Sequence, residues 1–164
     1  MNGLFGFSMA RTVLQPYINI QDQKAQNTDG GTFTSGSWQQ RDINTVVFDT
    51  AGLASLASNQ ITLTPGTYAV RIEMPGVQVD GFKVRLQNMT DSTTVPLKST
   101  NGYSSSSATQ AWATAVLTGR FSITTYKTFQ IQGQCQTTRP TFGLGLKVNI
   151  DTEVYTVAEF WKIA

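Results

Sequence analysis

Ten carboxylates, one thiol and no imidazole are what this 164-residue chain brings to chemistry. Without histidine there is no Ser-His-Asp or Cys-His nucleophilic site, no imidazole metal site and no histidine pH switch. The single Cys135 rules out an intrachain disulfide and a cysteine-based metal cluster. That leaves the compartment open, because a chain without disulfides folds in reducing cytoplasm and can still work outside the cell.

The carboxylates fare little better. A glycosidase needs two of them facing across a cleft, about 5–9.5 Å apart. Nothing in the spacing of Glu73, Asp80, Asp91 and Glu153 picks out such a pair. Asp49-Thr50-Ala51-Gly52 differs from an aspartic protease Asp-Thr-Gly by the inserted Ala51, and a turn is the simpler reading. Asp29-Gly30-Gly31 could turn carbonyls toward calcium but lacks the repeated carboxylates of a recognised loop. The expectation is no catalytic residue, no metal and no cofactor.

Binding chemistry is equally restricted. The net charge is +2 and only 13% of residues are charged. Lys and Arg are scattered singly, so nucleic acid is not an expected partner. No apolar run approaches the ~20 residues of a membrane span. The Ser-rich stretch Ser99 to Trp112 offers Tyr103 and Trp112 as sugar-stacking platforms in a candidate receptor loop. A flexible hairpin with a core Trp112 at its foot is the simpler expectation, since loops are polar whatever they do. Asn88-Met89-Thr90 is a formal glycosylation sequon.

The elements that would position these groups read as strands. In "TYAVRIEM", Tyr68, Val70, Ile72 and Met74 alternate with Thr67, Arg71 and Glu73. Phe82, Val84 and Leu86 alternate with Lys83, Arg85 and Gln87. Phe129, Ile131 and Cys135 alternate with Gln130, Gln132, Gln134 and Gln136, a glutamine ladder most simply facing solvent. Turn signals are Pro65-Gly66, Pro75-Gly76, Asp80-Gly81, Asn101-Gly102 and Thr118-Gly119. "DTAGLASLASNQ" is the nearest approach to a helix and is too short for one. Roughly eight to ten strands predict an antiparallel all-β sandwich of jelly-roll size.

The last strand breaks the alternation. "EVYTVAEFWKI" reads as Val154, Ala158 and Phe160 on one face, with Tyr155, Val157, Trp161 and Ile163 on the other. Either the strand is central in the core or a second subunit covers its outer face. "AWATAVL" (Ala111 to Leu117) is two-sided in the same way. Together they suggest a symmetric oligomer.

Three stretches carry a resemblance: "DQKAQNTDGGTFTSGSWQQRDINT", "SNQITLTPGTYAVRIEMPG" and "FQIQGQCQTT" with the later "FGLGL" and "EVYTVAEFWKI". They resemble a module of bacteriophage virion proteins, found at tail-fibre tips and in small stand-alone structural proteins. That module is similar to the trimeric jelly roll of tumour-necrosis-factor and complement type. The resemblance covers roughly Tyr17 to Ile163. It implies a sandwich of ten strands and a homotrimer with Tyr155, Val157, Trp161 and Ile163 near its axis. It also implies that "GGTFTSGSW" is framework: Gly30, Gly31 and Gly36 for tight backbone, Phe33 and Trp38 packed inward, and Arg41 with Asp42 tying the turn. The chain departs from the family at "MPGVQVDGFKVR", where a basic or histidine-bearing segment is usual, so no receptor preference carries over.

The expected organisation is an N-terminal docking arm over residues 1–16 and a jelly roll over 17–164. The arm is no secretory signal, because Arg11 follows its apolar residues and Gly3 and Gly6 interrupt them. Leu4, Phe5, Phe7 and Met9 are suited to a groove on a neighbouring protein. With no shaft ahead of the domain, the first expectation is a trimeric decoration or cement protein on a phage head. It would assemble in the host cytoplasm and be held by its arm to the major capsid protein. The alternative is a tail-fibre or tail-tip receptor-binding protein, attached to a tail or baseplate protein and recognising a host surface glycan.

Overall fold

A computed structural model describes residues 15–164; the arm residues Leu4, Phe5, Phe7 and Met9 lie outside them. Twelve strands follow in chain order. They are β1 (Tyr17–Lys24), β2 (Gln39–Gln40), β3 (Thr45–Asp49), β4 (Ala54–Ala57), β5 (Gln60–Leu63) and β6 (Gly66–Val77). After these come β7 (Asp80–Asn88), β8 (Thr93–Thr94), β9 (Gly102–Ser104), β10 (Trp112–Ile123), β11 (Lys127–Cys135) and β12 (Glu153–Lys162).

All pairings are antiparallel. One sheet runs β10-β6-β12-β1-β3. The other runs β4-β5-β11-β7-β8, with β2 on β11 and β9 on β7. β5 and β2 lie end to end along one side of β11, and β8 and β9 along the far side of β7. The fold is therefore the expected all-β jelly roll, two sheets face to face with alternate residues turned into a shared core.

The predicted alternations hold. Tyr68, Val70, Ile72 and Met74 enter the core from β6, Phe82, Val84 and Leu86 from β7, and Phe129, Ile131 and Cys135 from β11. Ile18 and Ile20 of β1 meet Phe160 and Ala158 of β12 across the ladder. Phe121 stacks on Tyr68 at 5.9 Å and meets Phe129 edge-on at 5.3 Å. Each large side chain fully buried here contributes about 1.5–3 kcal/mol before ordering costs.

Asp80-Gly81 opens β7, and two other expected turns lie inside strands. Pro75-Gly76 lies within β6, paired to Thr114 and Ala113 of β10. Val77 donates its N–H away from β10, to Gly143 O at 3.1 Å. Two residues back, the Pro75 nitrogen faces the same side, beyond the last β12 partner at Glu73, so its missing N–H breaks no ladder bond. Gly76 is there for Phe82, whose ring would sit 2.8 Å from any Cβ. Thr118-Gly119 is likewise continuous in β10, and a Cβ at Gly119 would fall 2.5 Å from Leu97. The β6–β7 connection is Gln78-Val79, between the two expected turns. "DTAGLASLASNQ" becomes the turn into the β4–β5 hairpin, whose Ser58 and Asn59 both take positive φ.

The stretch from Gly30 to Arg41 closes one end of the sandwich. Gly30 donates to Gly145 O at 2.8 Å, and a Cβ there would lie 2.7 Å from the Gly145 nitrogen. Phe33 is fully buried and exchanges backbone bonds with Arg139. Two expectations fail. Trp38 is only half-buried and faces outward, with the Arg85 guanidinium 4.5 Å from its ring centre. Arg41 and Asp42 do not pair with each other, because neighbours on a strand-like segment point opposite ways. Arg41 runs into the core, donating to Leu144 O at 2.7 Å and Thr156 Oγ1 at 3.3 Å. Asp42 faces out and accepts from Lys24 Nζ at 2.9 Å and Asn59 Nδ2 at 3.1 Å.

Candidate functional site

The carboxylates already have structural partners. Asp49 accepts three backbone N–H bonds, from Ala51, Leu53 and Ala54, and so caps the turn expected there. Glu153 accepts from Val148, Asn149 and Asn27, and these bonds hold its carboxyl below the ordinary range. Thr137 and the Ser106 N–H hold Asp80 low, and Lys127 at 2.6 Å does the same for Asp91. Asp29 accepts from the Lys147 N–H at 3.1 Å. Among the described residues no three of His, Cys, Asp and Glu cluster as metal ligands. No helix among them is long and apolar enough to cross a membrane.

What the fold does present is the outer face of the five-stranded sheet. β1, β12, β6 and β10 stand side by side, and their outward residues form rows across it. Tyr17, Trp161, Ala69 and Arg120 make one row. Asn19, Glu159, Arg71 and Thr118 make the second, and Gln21, Val157, Glu73 and Val116 the third. Trp161 packs on Tyr17 at 5.4 Å, and Phe48 of β3 follows at 6.5 Å, 57% exposed.

Polar groups on this face are tied to one another. The Tyr17 hydroxyl donates to Glu159 at 2.6 Å and accepts from Asn19 at 2.8 Å. Burial, then Glu159, push that phenol's pKa up. Arg71 bridges Glu73 and Glu159. Apart from Arg120 and Thr118 at the β10 edge, the face is mostly apolar where it is not internally paired, which is the chemistry of a surface that can be covered.

The structure regroups the expected interface residues. Val157 and Trp161 lie on the open face; Ile163 follows the strand, half-buried, its N–H on Thr67 O. Tyr155 is on the inner side, contrary to the simple alternation. Between Gln21 and Gln23 the β1–β12 register slips, so that β12 carries one extra residue opposite Asp22. Tyr155 and Thr156 are consequently both buried, and Val154 swings out to 44% exposure. The Tyr155 hydroxyl donates to Thr28 O at 2.7 Å, and burial pushes its pKa well above the usual phenol. Nothing in the local sequence signals that bulge.

The candidate receptor loop is divided. Tyr103 is on β9 in the seven-stranded sheet, 66% exposed, whereas Trp112 opens β10 in the other sheet. Trp112 is 55% exposed, so the core-tryptophan expectation fails; it pairs across the ladder with Val77, which is fully buried. The loop between them is pinned rather than free, with Ser106 O accepting from Arg139 at 2.9 Å and its N–H on Asp80 at 2.8 Å.

No family model and no curated protein matches the chain. Solved structures do. The chain is similar to the globular domain of a zebrafish complement 1qA protein, at 12% identity and TM-score 0.55, over 92% of this chain and 98% of that one. It is also similar to murine APRIL at pH 5.0, at 9% identity and TM-score 0.57, over 92% of this chain and all of that one. At such identities the likeness establishes the fold: a jelly roll of the tumour-necrosis-factor and complement class.

Proposed function

We propose that this chain is a non-catalytic structural module that forms a homotrimer by burying the outer face of its five-stranded sheet. The observation that carries this reading is that face itself, with Phe48 exposed, Trp161, Tyr17 and Val157 half-buried, and Arg71 paired with Glu73 and Glu159. Jelly rolls of this class assemble as trimers, which supports a three-fold arrangement. Covering Trp161 and Phe48 would contribute about 1.5–3 kcal/mol per side chain before association costs. Arg71, Glu73 and Glu159 would enter already paired, while Arg120 at the β10 edge would need a partner from the neighbouring subunit or a place at the rim.

The setting proposed for the trimer is the bacteriophage particle, supported by the sequence resemblance of Asp22 to Thr45, Ser58 to Gly76 and the C-terminal strand. Head decoration is the first reading; a tail-fibre or tail-tip role is the second, favoured by the exposed Tyr103. Light scattering tests the assembly: wild type should have three times the chain mass. Trp161→Asp, and Phe48→Asp at an exposed edge position that leaves the monomer fold intact, should each reduce it. A monomeric wild type or two unchanged trimers overturns the interface. Antibody labelling of virions, spread over heads or confined to tail ends, separates the two settings.

A further inference from the structure

The seven-stranded sheet also has an outer face, and a groove of about 670 Å³ crosses it. β2, β11, β7 and β9 lie side by side here, three strand spacings or about 14 Å from first to last. Trp38, just before β2, stands at one side and Tyr103 of β9 at the other. Between them Lys83 and Gln134 are direct cross-strand partners. Gly81 adds no side chain to the floor, and the Gln136 amide lies over it, 2.7 Å from where a Cβ would stand; Gly102 faces the core, where a Cβ would strike the Phe82 ring at 2.3 Å.

The polar groups of this groove differ from the rest of the sheet surface. Further along the same glutamine ladder, Gln132 donates to Gln130 and accepts from Arg85, both at 2.8 Å. Gln134, Asn101, Lys83 and the Tyr103 hydroxyl form no hydrogen bond or ion pair among the described residues. Gln136 uses only its oxygen, accepting from the Gly81 N–H at 2.9 Å, so its amide nitrogen is free. No carboxylate lines the groove. Arg85, held over Trp38, adds a second positive charge beside Lys83.

Aromatic faces with planar amides between them suit a sugar, which shows C–H faces to rings and hydroxyls to amides. A purely apolar ligand would strip water from Lys83, Gln134 and Asn101 and return nothing. The unbalanced cations select the charge. We propose that the groove binds an acidic oligosaccharide, with Tyr103 and Trp38 under the sugar faces, Gln134 and Asn101 on hydroxyls and Lys83 on the acid group. Every residue comes from one chain and from the sheet opposite the proposed trimer face, so the site does not depend on that assembly.

Isothermal titration with tetragalacturonate and a heparin-derived tetrasaccharide, against neutral maltotetraose, tests it. At least one acidic probe should bind, and maltotetraose should be about tenfold weaker or worse. Tyr103→Ala and Lys83→Gln should each weaken the acidic probe by about tenfold, with melting temperature unchanged because both side chains project into solvent. Lys147→Gln, at a lysine paired with Asp29 and outside the groove, should bind as wild type does. Absence of acidic binding, equal binding of maltotetraose, or an equal loss with Lys147→Gln overturns the proposal.

Discussion

Arg41 places a cation in the core, and removing it is the sharpest test of how the end of the sandwich is held. The guanidinium is fully buried, 5.4 Å from the Phe33 ring centre, and desolvation pulls its pKa down to about 10 against the support of Asp22 and Asp42. It donates to Leu144 O and Thr156 Oγ1, joining the closing loop to the bulge of β12. Its NH1 has no partner among the described residues. Arg41→Ala removes these bonds, opens a void and leaves buried Asp22 facing only Lys24 at 3.1 Å. Breaking a buried charge arrangement on one side costs about 3–5 kcal/mol. Arg41→Met keeps the volume and loses the two hydrogen bonds, so its deficit should be about 1–3 kcal/mol.

The pH dependence separates this account from simple loss of packing. Burial raises the Asp22 pKa above its unfolded value. Its ionised form therefore opposes folding, and stability returns as pH falls through the folded pKa toward the unfolded one. Without Arg41 the folded pKa rises further. The Arg41→Ala deficit should thus be smaller at pH 5 than at pH 7.5, in urea titrations at one protein concentration. A deficit under about 1 kcal/mol, or one identical at both pH values, would refute the reasoning.

Glu153 has the opposite sign. Its folded pKa is depressed by backbone donors, so its contribution is present above the unfolded carboxylate pKa and lost as pH falls through the folded value. Glu153→Gln should flatten the acid limb of a thermal-stability profile, and an unaltered limb would exclude the role. Deleting residues 1–9 should leave a folded trimer that no longer co-sediments with phage particles, if the apolar arm docks as its sequence suggests; retained binding would remove the arm from the mechanism.

Strands whose two faces differ in polarity were legible in the sequence. β6, β7 and β11 alternate because one side meets the core and the other meets water, and that contrast is written residue by residue. Pro75-Gly76 and Thr118-Gly119 misled because their glycines answer to Phe82 and Leu97, which approach from elsewhere in the chain. Tyr155 misled because a register slip against β1 is a property of a pair of strands. Trp38 and Trp112 both turn outward, although bulk alone argued for burial. The two-sided last strand allowed either a central place or a covered outer face, and β12 is central in its sheet; the groove beside Tyr103 was not foreseen, because its residues come from four separated segments.

The position of β12 has a further consequence, for synthesis rather than for the finished molecule. β12 lies between β1 and β6 in the middle of its sheet, and it follows the other eleven described strands in the chain. Until it clears the ribosome, β1 and β6 expose edges where it belongs, and Ile18, Ile20, Val70 and Ile72 have no neighbouring strand between them. The core cannot be sealed before β12 has been made. Folding becomes a late, long-range event, slowed by closing loops of more than a hundred residues. During that interval the unpaired edges are open to other nascent copies. The domain is thus at its most adhesive just before β12 joins its sheet.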